Sequence, residues 1–178
     1  TSSSDATFVA TDGHRMSVYQ TGVPVQGPSV IIPKLAIYTA YKALYRRTDS
    51  VTIRWRDGRV RIELDGDVID TKTVDGGFPD YERVIPPETL GTVEAPAADL
   101  KAALDRVTVV STEKSRAVRV DCNGAVDLTC HSPENGEASE RVDGAEYRGD
   151  EIQVGFNSAY VADFLGIMGG DTATIQLS

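Results

Sequence analysis

The chain has 178 residues, 40% of them hydrophobic, which is enough to bury one or two modest cores. No apolar stretch is long enough to cross a membrane, and no charged and then apolar leader opens the chain, so we expect a cytoplasmic protein. Eighteen Lys and Arg against 27 Asp and Glu give a net charge of −9, which argues against holding nucleic acid by bulk electrostatics alone.

The first predicted element is a hairpin. Asp12 and Gly13 lie between two β-prone runs, residues 7–11 and 16–19. Gly supplies the positive φ that a tight turn needs, so Gly13, His14 and Arg15 are predicted at the rim of a sheet.

A helix is predicted next, over residues 34–47, after a short strand at 29–32 that ends at Pro33. The spacing i, i+3, i+4 and i+7 predicts a buried face made of Ile37, Ala40, Tyr41 and Leu44. The opposite face is polar and basic, with Thr39, Lys42 and Arg46.

Two alternating segments follow, residues 51–56 and 59–64, and Asp57-Gly58 between them is a strong hairpin signal. A third strand is predicted at 68–74. The alternation places one apolar set on a single face: Ile53, Trp55, Val60, Ile62 and Leu64. Residues 78–86 contain two prolines and suit neither a helix nor a central strand, so they are predicted to form a stiff connector between two lobes.

The pattern then repeats, with strands predicted at 92–95, around Asn123-Gly124, at 138–142, at 151–156 and at 172–177. Pro96 opens a helix, and Asn157 or Ser158 caps another. The predicted apolar faces of these helices are Leu100, Ala103, Leu104 and Val107 in the first, and Val161, Phe164, Leu165 and Met168 in the second.

The three helix starts, Pro33, Pro96 and Asn157, are 63 and 61 residues apart, which indicates an internal repeat. The repeating unit is strand-helix-strand-strand-strand. We therefore predict an α+β fold of antiparallel sheets with helices on one face, divided into residues 1–85 and 86–178. Both end units are incomplete, so we expect a fragment of a longer protein.

No disulfide, metal or cofactor is predicted. A two-residue turn at Asn123-Gly124 pairs Cys122 with Ala125 and places Cys130 opposite Ala117, so the two cysteines are not partners and are expected to be reduced. Two histidines without a Cys-x-x-Cys give little support for a metal site.

Three segments carry a family resemblance: ATDGHRM at 10–16, FPDYERVIP at 78–86 and VGFNSAY at 154–160. Together they resemble the bacterial DNA sliding clamps, the beta subunit of DNA polymerase III, and the resemblance spans nearly the whole chain. It covers the later half of the middle clamp domain and most of the last one. The closing Met-Pro-Met-Arg-like tail of the family has no counterpart here.

The resemblance implies a processivity factor without catalysis or cofactor, which encircles duplex DNA as a homodimeric ring. It also implies a pocket for Gln-Leu-x-Leu-Phe-like peptides of DNA polymerase III subunits, the clamp loader and repair polymerases. An acidic exterior is compatible with a ring whose lining alone is basic. The matching pocket residues are Thr11, Gly13, His14, Arg15, Met16, Pro79, Arg83, Val84, Asn157 and Tyr160.

By the same resemblance, helix-borne bases face the DNA, namely Lys34, Lys42, Arg46, Lys101 and Arg106, and Val109 and Val110 belong to the dimer interface. Without the resemblance, a solvated helix face is the more usual explanation of these bases, and the two valines can equally be ordinary core. Asp105 and Asp163 weaken the DNA-facing interpretation for the second and third helices.

Two other functions compete with the clamp. A small-molecule enzyme would use His14 and Asp12 as acid and base, although no nucleophile-elbow Ser or Cys accompanies them. A sequence-specific DNA binder would need a recognition helix rich in Arg, Asn and Gln, which the sequence lacks.

Overall fold

The computed structural model describes residues 4–45, 50–64, 66–112, 116–168 and 170–178. The chain forms two compact units, Thr1–Tyr81 (unit 1) and Glu82–Ser178 (unit 2). No described helix is long and apolar enough to cross a membrane.

Where it is described, unit 1 forms a two-stranded hairpin, a helix and a three-stranded meander, and these strand pairs are antiparallel. Its elements are β1 (Ser4–Thr11), β2 (Met16–Val25), α1 (Lys34–Leu44), β3 (Thr52–Arg56), β4 (Arg59–Leu64) and β5 (Asp67–Lys72). The sheet orders are β1-β2 and β3-β4-β5.

The β3–β4 hairpin confirms the predicted turn and buried face. Asp57 (φ 51°) and Gly58 (φ 71°) are both left-handed, as the two-residue turn between right-twisted strands requires. Val60 and Ile62 are almost fully buried, and Trp55 packs against the same cluster.

The predicted buried face of α1 is wrong in part. Ala36 and Ala40 are the buried residues, whereas Ile37 and Tyr41 are 42% and 58% exposed. The two small alanines let the helix lie close to the sheet, because a buried Ala keeps the backbones near each other. The helix ends at Leu44 in the described residues, and the predicted extension through 46 and 47 lies outside them.

The strand predicted at 29–32 does not form. The Ile31 carbonyl accepts one hydrogen bond from the Val74 backbone N–H at 2.9 Å, but the segment pairs with no strand among the described residues. Pro28 and Pro33 bracket the segment and each removes a backbone donor, which explains why no ladder continues.

The described residues of unit 2 form two α-helices and two antiparallel sheets, ordered β10-β6-β12 and β11-β7-β8-β9. Its elements are β6 (Gly91–Pro96), α2 (Ala97–Val107), β7 (Ala117–Cys122), β8 (Val126–Ser132), β9 (Gly136–Arg141), β10 (Glu146–Gly149), β11 (Ile152–Asn157), α3 (Ser158–Ile167) and β12 (Thr172–Leu177).

The core of unit 2 forms around α2, whose predicted apolar face is fully buried. Leu104 is 2% exposed and belongs to one continuous cluster with Leu128 of β8 and Leu165 of α3. Helix α2 also contacts α3 directly. The α+β fold with helices against antiparallel sheets is therefore confirmed.

Three details of unit 2 differ from prediction. Phe164, assigned to the buried face of α3, is 51% exposed, and β10 was not predicted because its four residues alternate weakly. Cys122 faces Val126 across a three-residue loop rather than Ala125, so the β7–β8 register is shifted by one residue from the predicted one and Thr129 lies opposite Arg119.

Both cysteines are free and buried, which confirms that they are not disulfide partners. Burial raises the pKa of the Cys122 and Cys130 thiols, so both remain protonated near neutral pH.

Candidate functional site

The turn between β1 and β2 is built around the Asp12 carboxylate. Asp12 Oδ1 accepts the backbone N–H of His14 at 3.0 Å and of Arg15 at 3.1 Å, and Oδ2 accepts from Arg15 Nε at 3.1 Å. Thr11 Oγ1 donates to the Arg15 carbonyl at 2.8 Å and accepts from the Gly13 N–H at 3.2 Å. Gly13 has φ +86°, a conformation that favours glycine. These bonds fix the backbone of the turn.

Asp12 has a structural role in the turn. The backbone N–H of His14 is the first cause that lowers the Asp12 pKa, with further contributions from Arg15, so the carboxylate stays ionised at neutral pH. The bonds described for Asp12 therefore hold the backbone of the turn and the Arg15 guanidinium.

The turn presents an exposed polar edge next to one apolar side chain. Thr11, Gly13, His14 and Arg15 are exposed, as expected at a sheet rim, while Met16 is half-buried at the first position of β2, opposite Thr11. The hairpin thus brings together the five predicted pocket residues of this segment.

The other predicted pocket residues lie in separate local structures. Pro79 is an exposed residue of unit 1, and Arg83 and Val84 lie in a short 3-10 helix (Tyr81–Val84) in which Val84 is 69% exposed. The Val84 side chain is therefore accessible from solvent.

Asn157 and Tyr160 lie at the start of α3. The Asn157 side chain accepts the Ala159 N–H at 3.0 Å, which confirms the predicted cap. Tyr160 is half-buried in the first helical turn. The cap fixes the orientation of the Asn157 side chain before any ligand binds.

The predicted DNA-facing bases differ in their local partners. Lys34 and Lys42 are exposed on α1, and Lys42 Nζ lies 4.5 Å from the centre of the Tyr38 ring. On α2, Lys101 pairs with Asp105 at 2.7 Å.

Arg106 of α2 forms a bidentate contact with Glu140 of β9, in which Nε lies 2.9 Å and 3.1 Å from the two carboxylate oxygens. The pair raises the pKa of Arg106 and lowers that of Glu140. The two α2 bases are thus partly neutralised within unit 2, whereas those of α1 are not held by a carboxylate in the described contacts. Arg46 lies outside the described residues.

Val109 and Val110, predicted at a dimer interface, lie in a short 3-10 helix (Thr108–Val110) after α2. Val109 is 79% exposed, whereas Val110 packs partly against the core and its carbonyl accepts from Asn135 Nδ2 at 3.1 Å. Core packing therefore accounts for part of Val110 but not for the exposed side chain of Val109.

A cavity of about 320 Å³ lies elsewhere in unit 2, between α2, the start of α3 and the loop before β7. Its lining includes Leu104, Thr108, Arg116 and Ser158, and none of its lining residues belongs to the predicted pocket or the predicted interface. Among the residues that the structure describes, no group of three or more His, Cys, Asp or Glu could hold a metal ion.

Sequence reasoning assigned no role to the outward face of the β3-β4-β5 sheet, which carries Arg54, Arg56, Arg59, Arg61 and Lys72. The signal was present, because the alternation that predicts the buried face also puts these side chains together on the other side.

Comparison with known proteins matches both units to consecutive domains of one family. The profile of the DNA polymerase III beta subunit, central domain, matches residues 1–80, and that of its C-terminal domain matches residues 82–178. The chain is 34% identical over 173 residues to the beta sliding clamp of Vibrio cholerae and 32% identical over 173 residues to that of Escherichia coli.

Solved clamps have the same fold. A sliding clamp structure from Bartonella birtlesii superposes with a TM-score of 0.88 at 34% identity, covering 96% of this chain and 50% of that one. A Caulobacter crescentus clamp, solved with polyethylene glycol bound to a region proposed for beta-motif tethering, gives a TM-score of 0.86 at 33% identity over 96% and 46% of the two chains.

The alignments cover 96% of this chain but only 47% of the Vibrio cholerae and Escherichia coli clamps, so the chain spans about half the length of these relatives. The profile matches are consecutive and together cover nearly all of the sequence. The chain therefore belongs to the DNA polymerase III beta subunit family, the bacterial beta sliding clamps.

Proposed function

We propose that this chain is part of a DNA polymerase processivity factor, a ring-shaped clamp that encircles duplex DNA and tethers polymerase and repair proteins. The observation that supports it is the match of two successive clamp domains, in order, over residues 1–80 and 82–178. We assign residues 1–85 to the second half of the middle clamp domain and 86–178 to the C-terminal domain. The protein needs no cofactor, because processivity comes from encirclement.

We further propose that the β1–β2 turn binds the partner peptide. The exposed edge from Thr11 to Arg15 offers polar atoms in a fixed geometry, and Met16 offers an apolar side chain beside it. The remaining proposed contacts come from Pro79, Arg83, Val84, Asn157 and Tyr160. The partners are Gln-Leu-x-Leu-Phe-like peptides of DNA polymerase III subunits, the clamp loader and repair polymerases.

Duplex DNA is the second proposed partner, contacted loosely through phosphates and without base readout. Lys34 and Lys42 of α1 are the stronger candidates, because Lys101 and Arg106 already pair with carboxylates. Arg46 is proposed from the family resemblance alone. A homodimeric ring in the full-length protein would use Val109, whose side chain is largely exposed, together with Val110.

Titration of a fluorescent Gln-Leu-x-Leu-Phe peptide tests the proposed pocket. Burying one Leu and one Phe is worth roughly 3 to 6 kcal/mol before ordering costs, so we expect a Kd no tighter than about 40 μM. Met16→Glu places a charge against the apolar end of the peptide and should remove most of the affinity. Lys42→Gln on α1 is the control and should bind like the parent.

Two outcomes would contradict the pocket. In the first, the parent shows no saturable peptide binding. In the second, Met16→Glu binds as tightly as Lys42→Gln, although both variants remain folded by circular dichroism.

A further inference from the structure

The outward face of the β3-β4-β5 sheet is basic. Cross-strand register places Arg56 opposite Arg59, and Arg59 opposite Lys72 on the third strand. We call Arg56, Arg59 and Lys72 the cationic row. Since neighbouring strands are about 4.8 Å apart, the row sets three cations across roughly 10 Å. A second cross-strand pair of like charge, Arg54 opposite Arg61, lies two residues along the strands.

Folding does not explain the cationic row, because like charges directly opposite each other destabilise a sheet. The neighbouring pair is compensated: Arg61 Nε and Nη2 each lie 2.8 Å from an oxygen of Asp70, and Arg54 pairs with Glu63. In the cationic row, Arg56 pairs with Asp57 at 3.3 Å, between side chains that are 90% and 85% exposed, and the charge of Arg59 helps to lower the pKa of Asp70. Such an exposed pair holds its partners weakly.

The chemistry of this face fits a phosphate backbone better than a protein partner. The nine outward positions are Thr52, Arg54, Arg56, Arg59, Arg61, Glu63, Val68, Asp70 and Lys72, and none of them is aromatic. Protein interfaces are usually anchored by buried aromatic residues, and single-strand binders stack bases on aromatic rings. Duplex nucleic acid is instead held by Arg and Lys on its phosphates.

We propose that the outward face of the β3-β4-β5 sheet binds the backbone phosphates of duplex DNA through the cationic row. This site is distinct from the α1 bases. Ala40 of α1 packs with Val60 and Ile62 on the opposite face of the same sheet, so Lys34 and Lys42 belong to the other side of unit 1. The inference therefore does not depend on the proposed clamp function.

Binding of a fluorescent linear duplex of arbitrary sequence, titrated at several salt concentrations, tests the proposal. Arg56→Gln, Arg59→Gln and Lys72→Gln are combined in one variant. Loss of three phosphate contacts should lower the magnitude of the slope of log K against log salt by about 2.7 and weaken binding on the order of tenfold at low salt.

The matched control removes three exposed arginines from unit 2 by combining Arg119→Gln, Arg141→Gln and Arg148→Gln, which changes the net charge equally. It should keep the parent's salt slope. Trp55 lies on the face beneath the cationic row, so its fluorescence melting curve reports whether that sheet is folded in each variant. Relief of like-charge repulsion should leave the melting temperature unchanged or raise it.

Three results would overturn the proposal. One is an equal loss of affinity in the two triple variants, which would indicate an effect of net charge alone. Another is a loss of affinity in Lys34→Gln with Lys42→Gln but not in the row variant, which would leave the proposed clamp function intact. The third is displacement of the duplex by polyglutamate at equal charge concentration, which would assign the row to an acidic polypeptide.

Discussion

The two units bury apolar surface to very different extents. In unit 2, one cluster of buried residues joins both helices to both sheets, and α2 packs against α3. In unit 1, the buried cluster consists of Ala40, Val60, Ile62 and Leu64. Its single described helix leaves Leu35 75% exposed, together with three tyrosines, Tyr38, Tyr41 and Tyr45.

The comparison shows what one repeat lacks by itself. A helix on a sheet buries one stripe, and a second helix is needed to cover the neighbouring stripe. In unit 2 the helices of two repeats supply this cover to each other, whereas α1 has no helix beside it in the described part of unit 1. We therefore expect unit 2 to be the more stable of the two.

The units also differ in charge. Unit 1 contains ten Lys and Arg and ten Asp and Glu, whereas unit 2 contains eight Lys and Arg and 17 Asp and Glu. The whole net charge of −9 therefore resides in unit 2. The negative total charge therefore opposes nucleic-acid binding by unit 2 only, because unit 1 has no net charge.

The largest expected effect is in the core of unit 2. Leu104→Ala removes a side chain that is 2% exposed inside the continuous cluster, and such a truncation costs about 2–5 kcal/mol. Urea unfolding followed by far-ultraviolet circular dichroism measures the loss.

Ile62→Ala is the matched truncation in unit 1, where the side chain is 1% exposed. Trp55 is the only tryptophan of the chain, and its Nε1 donates to the Pro28 carbonyl at 3.0 Å within unit 1. The urea midpoint of the Trp55 fluorescence transition should therefore fall in Ile62→Ala and stay unchanged in Leu104→Ala. In the parent protein, this midpoint should lie at a lower urea concentration than the midpoint followed by circular dichroism. Coincident transitions in all three proteins would mean that the units unfold as one, against the comparison.

A smaller effect is expected where a glycine of unit 2 lies against a buried ring. A Cβ on Gly91 would overlap the Tyr147 ring, which is 6% exposed and whose hydroxyl donates to the Asp150 carbonyl at 2.5 Å. Gly91→Ala must displace this ring, and overpacking of this kind costs about 1–3 kcal/mol. Thermal unfolding measures the loss.

Gly155→Ala on β11 is the control, because no atom lies within 4 Å of its added Cβ. It should be neutral or slightly stabilising. Equal destabilisation by the two substitutions would show that strand glycines matter here for backbone freedom and not for the space beside Tyr147.

Local patterns predicted the fold well where the answer depends on neighbouring residues. Alternation assigned the buried side of β3 and β4, and Asp57-Gly58 identified their turn, because both depend only on backbone geometry. The buried stripe of α1 was predicted wrongly in part, since the small residues Ala36, Ala40 and Ala43 form a competing i, i+4, i+7 pattern beside the larger set that begins at Ile37. The choice between them depends on how closely the helix approaches the sheet, which no local pattern contains.

The same limit applies to the candidate site. Residues 11–16 could be assigned to a hairpin rim from the sequence, whereas the engagement of the Asp12 carboxylate by two backbone N–H groups became evident only in the structure. The cationic row was recoverable in principle, because register follows from the two turns. Alternation separates the two faces of a strand but does not indicate which of the exposed cations are left without a carboxylate partner.

The smallest expected effect is at the exposed β1–β2 turn, where stability depends on one ionised carboxylate and not on buried area. Because the folded pKa of Asp12 is lowered, its stabilisation of the turn is fully present above its ordinary value of about 3.9 and is lost as pH falls through the folded pKa. Protonation weakens the acceptor for the His14 and Arg15 N–H groups, so their NMR amide shifts should titrate at pH below about 3.9. Asp12→Asn keeps an acceptor oxygen but cannot ionise, so its two amides should show no such titration, and amides in the core of unit 2 should be unaffected in both proteins. If the amide shifts of His14 and Arg15 change alike with pH in the parent and in Asp12→Asn, the Asp12 carboxylate does not hold the turn.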